Sequence, residues 1–195
     1  MRVLIAGLIG GIVMYIWASV AHVATPLATI GLKAMPNEAG AITALHQTLG
    51  DEPGLYFFPF MQGSASDSKA MAAQEAKLKV SPSGLLAYQP PGTPGLAPRQ
   101  LVIEFVLELV ESVLAAFIIA GAVGFSRRLG VAALIGVIAA MATNFSYWNW
   151  YGFSLDYTLA NAFTELMKFV FAGAAIAWVL GWRRKAASYT NPHRD

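Results

Sequence analysis

Apolar positions along the chain gather into four long runs, residues 3–24, 101–125, 131–147 and 159–182, separated by polar, proline-rich or basic stretches. A helix crossing a hydrocarbon layer needs roughly 20 residues. None of the runs alternates with a period of two, and every backbone amide inside lipid must be bonded internally, so helices are predicted. The pattern divides the chain into transmembrane helices over residues 1–24, 100–125, 131–147 and 159–182, with an outer segment over 25–99 and a cytoplasmic tail over 183–195. The predicted fold class is an all-α membrane protein, a four-transmembrane-helix bundle with a small α+β extracytoplasmic cap.

Residues 25–99 are the one long polar stretch. Asn37 is a helix cap, with Ile42, Leu45 and Leu49 on one stripe and Gly50 as the stop. Residues 51–54 form a turn, 55–58 and 85–88 are candidate partner strands, and 67–79 is rich in Ala, Lys and Glu and reads as a helix. A segment of this size without disulfides carries too little core for a free-standing unit, so it is expected to lie over the helix ends.

Composition narrows the class. The 195 residues are 56% hydrophobic and 12% charged, against roughly 25% charged in a typical soluble domain. That excludes a disordered chain, and a net charge of +2 is too small an excess for a nucleic-acid partner. The absence of cysteine excludes disulfides, thiol catalysis and cysteine-held metal clusters. The basic residues speak by position. Arg2, Arg127, Arg128, Arg183, Arg184 and Lys185 flank the runs on one side, while residues 148–158 hold no Lys or Arg; both termini are therefore expected in the cytoplasm. Residues 19–21 fit a signal-peptidase site, but the first run is long for a signal peptide and bulky Trp17 stands close to the cut, so the span is read as retained.

The runs Gly54-Leu55-Tyr56-Phe57-Phe58-Pro59, Pro82-Ser83-Gly84-Leu85-Leu86-Ala87-Tyr88 and Ser146-Tyr147-Trp148-Asn149-Trp150-Tyr151-Gly152-Phe153 resemble those of small bacterial four-span inner-membrane proteins. The resemblance implies a four-span architecture in a bacterial inner membrane. It rests on aromatic and turn patterns, and the family carries no assigned activity, so it transfers no functional residue.

The candidate chemistry lies inside the apolar runs. Glu104, Glu108 and Glu111 recur at i, i+4, i+7, within about 60° of one helix face. Asn161, Glu165 and Lys168 repeat the spacing in the fourth run. Measured from the inner ends 125 and 182, Glu111 and Lys168 both stand about 21 Å up, Glu108 and Glu165 about 25 Å, and Glu104 and Asn161 about 31 Å. A Glu111–Lys168 ion pair is predicted. A charge near the bilayer centre costs about 2.5–3.5 kcal/mol, so three carboxylates on one stripe are not expected to face lipid. Tyr15, Ser19 and His22 in the first run, and Thr143, Asn144 and Tyr147 in the third, fall at about 18–28 Å by the same rise. All these polar groups are expected to gather in the outer third. Small residues spaced for close helix contact, such as Gly7, Gly11, Gly136 and Gly173, lie below them and are expected to seal the inner half. Only Ser112 falls slightly below the cluster, which disfavours a channel or a proton wire.

The leading expectation is a non-enzymatic membrane protein whose outward-facing acidic pocket binds a cation or a small cationic or amphipathic ligand. Its binding residues would be Glu104, Glu108, Glu111, Glu165, Lys168, His22, Asn161, Asn144 and Tyr15. The alternative is an accessory subunit docking onto a larger membrane complex through the glutamate stripe and the small-residue faces, with a homo-oligomer as another use of those faces. A structural ion-pair ladder between two helices accounts for the same stripe. Oxygen ligands suit Ca²⁺, Mg²⁺ or Mn²⁺, and His22 would admit iron or zinc; since Lys168 occupies a natural metal position, no metal or cofactor is assigned.

Overall fold

The computed structural model describes residues 1–189, with 182–189 by backbone alone. The chain is mostly helical, about 70%, with one small two-stranded sheet. Its elements are α1 (Arg2–Val23), a 3₁₀ turn (Pro26–Ala28), α2 (Glu38–Leu49), β1 (Gly54–Phe58), α3 (Ser68–Val80), β2 (Gly84–Tyr88), α4 (Pro98–Ala120), α5 (Phe125–Ala140), a π-helical turn (Met141–Phe145), α6 (Ser146–Tyr151) and α7 (Leu155–Tyr189). Among the described residues, three helical stretches are long and apolar enough to cross a membrane: Arg2–Val23, Phe125–Tyr151 and Leu155–Gly181. α4 matches them in length, and its three glutamates set it apart.

The helix ends differ from the expected runs, and each shift has a local cause. α4 starts early because Pro98 fits the first helical position and the Ala97 N–H donates to Gln100 Oε1 at 2.7 Å. It stops at Ala120 instead of 125, and Gly124, at φ +90°, turns the chain into α5. Arg127 and Arg128 were expected in a loop and instead lie in the first turn of α5. The third run, expected over 131–147, extends from Phe125 to Tyr151 through the π-helical turn. There the Thr143 hydroxyl donates to the Ala139 carbonyl at 2.8 Å, and Asn144 Nδ2 donates to the Ala140 carbonyl at 3.1 Å. Side chains that bond carbonyls one turn back loosen the regular ladder. The aromatic loop expected at 148–158 shrinks to residues 152–154: Gly152 in the left-handed region ends α6, and Ser154 Oγ accepts from the Tyr157 N–H to start α7. α7 then runs past 182 to Tyr189, through part of the expected tail. The side chains of Arg183, Arg184 and Lys185, and His193 entirely, lie outside the described residues.

Two compact units divide the chain, residues 33–95 and the remainder. In the smaller unit Asn37 Oδ1 caps α2 by accepting from the Gly40 N–H, and Asp67 Oδ1 accepts from the Lys69 N–H to start α3. β1 and β2 pair antiparallel with Gly54 opposite Tyr88 and Phe58 opposite Gly84. Tyr88 is the one buried residue of this unit; its hydroxyl donates to the Gly50 carbonyl at 2.8 Å. Ile42, expected on the covered stripe of α2, is exposed. So little buried surface follows from the unit's small size.

The larger unit holds the helices. α7 packs along both α1 and α5 and also touches α4, while α1 packs along α4. α4 touches α5 and α7 about equally, and far less than it touches α1. The core is built from Ala6, Met14, Ala115, Ala116, Ile119, Ala132, Phe169, Ala172, Ile176 and Leu180. Small residues bring the backbones close. A Cβ on Gly7 or Gly11 would lie 2.7 Å from the Cα of Val113 or Leu109 of α4, and one on Gly136 would lie 3.0 Å from the Leu166 carbonyl oxygen of α7. The Arg2 guanidinium donates to the carbonyls of Val179 and Leu180, and Trp17 Nε1 donates to the Thr164 carbonyl at 3.0 Å, tying α1 to α7 at both ends.

Candidate functional site

Lys168 lies on α7 with its side chain only 10% exposed. Three carboxylates surround its ammonium: Glu111 Oε2 at 3.0 Å, Glu165 Oε1 at 3.0 Å and Glu108 Oε1 at 3.3 Å. Helix periodicity makes this possible. Glu108 and Glu111 are three residues apart on α4, Glu165 and Lys168 three apart on α7, and each spacing puts both side chains on one face.

The four carboxylates of the expected stripes do not behave alike. Glu108 is almost wholly buried, Glu165 is about a quarter exposed and Glu111 about two fifths. Glu104 is exposed and forms no ion pair among the described residues. The reason lies in what α4 packs against. Phe105 meets Tyr15 of α1 ring to ring at 5.2 Å, and Leu109, Val113 and Ala116 lie under the α1 glycines. Glu104 and Glu111 fall on the flank of the helix turned away from α1. α5 contributes Val131, Ile135 and Ala139, partly buried against the core. The result is an acidic edge along α4 and α7, in which Glu111 and Glu165 keep part of their surface exposed beside the buried Lys168 and Glu108.

Several expected members stay outside the cluster. Asn161 Nδ2 donates to the Tyr157 carbonyl and Asn144 Nδ2 to the Ala140 carbonyl, each within its own helix. Tyr15 is spent on Phe105, and His22 is exposed with Nδ1 at 2.9 Å from the Ala18 carbonyl. Ser19 is exposed too, and Tyr147 stacks with Tyr151 and Phe153. His22 and Asn161 meet only in a shallow crevice, with Ala21, Leu27, Ala28 and Thr164, too narrow to admit a water molecule. These side chains stay out of the Lys168 cluster because they bond backbone or neighbours of their own surroundings. Among the described residues no three His, Asp or Glu side chains are placed to hold a metal; the ammonium sits where a cation would.

The sequence pattern understated Glu108, which is more buried than Glu111, and left Ser112 without a role. Ser112 is fully buried one turn beyond Glu108. Its i+4 position on the glutamate stripe was the available signal. No protein-family model, curated protein or solved structure matches the chain.

Proposed function

We propose that this is a four-span membrane protein whose acidic edge along α4 and α7 binds a cation or a small cationic or amphipathic ligand at Glu111, Glu165 and Glu104, with Lys168 as the built-in counter-ion. In this reading α4 is the fourth span, residues 33–95 form the extracytoplasmic cap, both termini are cytoplasmic, and the membrane is a bacterial inner membrane. The resemblance to small four-span proteins and the placement of Arg2, Arg127 and Arg128 support that topology. One observation carries the ligand: three carboxylates converge on a single ammonium, and two of the three remain accessible. One lysine cannot balance them, and an excess of negative charge within apolar helices calls for a cation or a proton. The exposed apolar residues of α4 beside the acids, Ile103, Val106 and Leu107, suit a ligand that joins a positive charge to a greasy body.

The test is thermal unfolding of the detergent-solubilised protein with tetraphenylphosphonium chloride, at constant ionic strength. A ligand at one hundred times its dissociation constant stabilises by about 2.7 kcal/mol. Glu111→Gln is expected to abolish the stabilisation while the protein still inserts. A response unchanged by Glu111→Gln removes the reading.

A second reading, an accessory subunit docked through α4, is favoured by Glu104. An exposed, unpaired carboxylate beside Ile103, Val106 and Leu107 is costly against lipid and natural against a partner. It predicts co-purification of a defined partner in mild detergent, lost on Glu104→Leu.

A further inference from the structure

The β1–β2 sheet has two unlike faces. Side chains alternate across a strand, and directly paired residues share a face. On one face Tyr56 meets Tyr88 edge-on at 6.3 Å, Tyr88 is buried, and the Phe58 ring lies over Gly84. The other face consists of Leu55, Phe57, Leu85 and Ala87, set by the pairs Leu55–Ala87 and Phe57–Leu85. It holds no polar side chain, yet Leu55 is 70% exposed, Phe57 42%, and Ala87 is exposed as well. α2 and α3 bury no residue of their own, and neither packs along the sheet.

The two ends of the sheet differ in charge. At the Gly54 end the chain enters through Asp51 and Glu52, both exposed. At the Phe58 end stand Phe60, 72% exposed, and the last turns of α3, because Gln74 Nε2 donates to the Pro59 carbonyl at 2.7 Å and β2 begins soon after Val80. Those turns run Lys77-Leu78-Lys79-Val80, all exposed, with Glu75 one turn before Lys79 as their one acid. Phe57 belongs both to the apolar face and to this basic end.

The chain ends of this unit fix what lies near it. Gly7 of α1 meets Val113 of α4, Gly11 meets Leu109, and Tyr15 meets Phe105. The two helices are antiparallel and in step, so α4 begins level with the last turn of α1, and the chain that leaves at Val23 returns at Pro98. With α1 and α4 as spans, the part of the four-span reading on which this rests, residues 33–95 are tethered twice at one bilayer surface, and lipid is present at high effective concentration. Apolar side chains beside lysines bind such a surface through buried apolar area and attraction to anionic headgroups. We infer that the sheet docks on the bilayer: Leu55, Phe57, Ala87 and Phe60 enter the headgroup layer, Lys77 and Lys79 meet anionic lipid phosphates, and Asp51 and Glu52 stay in water. A second copy of the chain would also cover an apolar face, but it gives the lysines no reason to stand at that end.

The chain has no cysteine, so single fluorophores test this in the full-length protein, reconstituted one copy to a nanodisc of phosphatidylcholine and phosphatidylglycerol. A probe on Ala87→Cys or Phe60→Cys is expected to be quenched by nitroxide-bearing lipids, and a probe on Asp51→Cys to escape. Lys77→Gln with Lys79→Gln, or discs of phosphatidylcholine alone, should remove most of the quenching at Phe60→Cys. Equal quenching at Ala87→Cys and Asp51→Cys would overturn the docking, as would quenching indifferent to both the lysines and the lipid charge. So would an Ala87→Cys probe shielded from water only when two copies share a disc, which would make the face a contact between copies. A probe on Leu114→Cys of α4, where the side chain is 61% exposed, tests the spans separately and is expected to be quenched by nitroxides at mid-bilayer depth. Quenching at Leu114→Cys without quenching at Ala87→Cys leaves the spans and removes the docking; the reverse leaves the docking and removes α4 as a span.

Discussion

α4 meets two neighbours with opposite chemistry. Toward α1 it offers Leu109, Val113 and Ala116 to glycines, at distances that leave no room for a methyl group. Toward α7 it offers Glu108 and Glu111 to a single lysine. The first contact is held by shape, since small residues let whole backbones approach and dispersion acts along the full length. The second is held by charge, where two ions bought out of water repay their desolvation only while both are present. A contact of shape is damaged by adding atoms, and a contact of charge by removing one partner.

The largest effect should come from the charge side. Lys168→Met strands three carboxylates and is expected to cost about 3–5 kcal/mol, the usual penalty for breaking a buried pair from one end. Combining it with Glu108→Gln should recover a large part of that loss, because the most buried acid is then neutral as well; measured unfolding in a fixed detergent mixture would show it as a non-additive pair. Additive losses would mean that the two groups do not share one interaction. Next comes the shape side. Gly11→Ala should destabilise by about 1–3 kcal/mol through overpacking, since the methyl meets the backbone of Leu109 and not a flexible tip. Gly95→Ala, where a Cβ meets nothing within 4 Å, is the matched control. The smallest change lies in the other unit, where Asn37→Ala removes the side-chain cap of α2 and should cost about 1 kcal/mol. Amide hydrogen exchange should place that loss at the first turn of α2, and a loss spread over α4 and α7 would show the two units to be coupled.

Part of the site was legible in the chain because helical periodicity is a local property. The i, i+4, i+7 spacings placed Glu104, Glu108 and Glu111 on one stripe, and Asn161, Glu165 and Lys168 on another, without reference to any neighbour. Equal heights then made Glu111 and Lys168 natural partners, and the two lie 3.0 Å apart. Exposure was not legible. Glu104 and Glu108 are one turn apart on the same face, yet one is exposed and the other buried. The difference comes from where α1 and α7 lie along α4, which no count along the chain supplies.

The sequence by itself determined the helices, since long apolar runs and their capping residues act within a few turns of backbone. It also determined that ionisable groups stand inside those runs. Tertiary structure decided which of them meet. Asn144, Asn161 and His22 bond carbonyls of their own helices, whereas Lys168 reaches across to Glu108 and Glu111 of α4. Burial of one acid and accessibility of the next follow from unequal helix packing, a property of the assembled bundle.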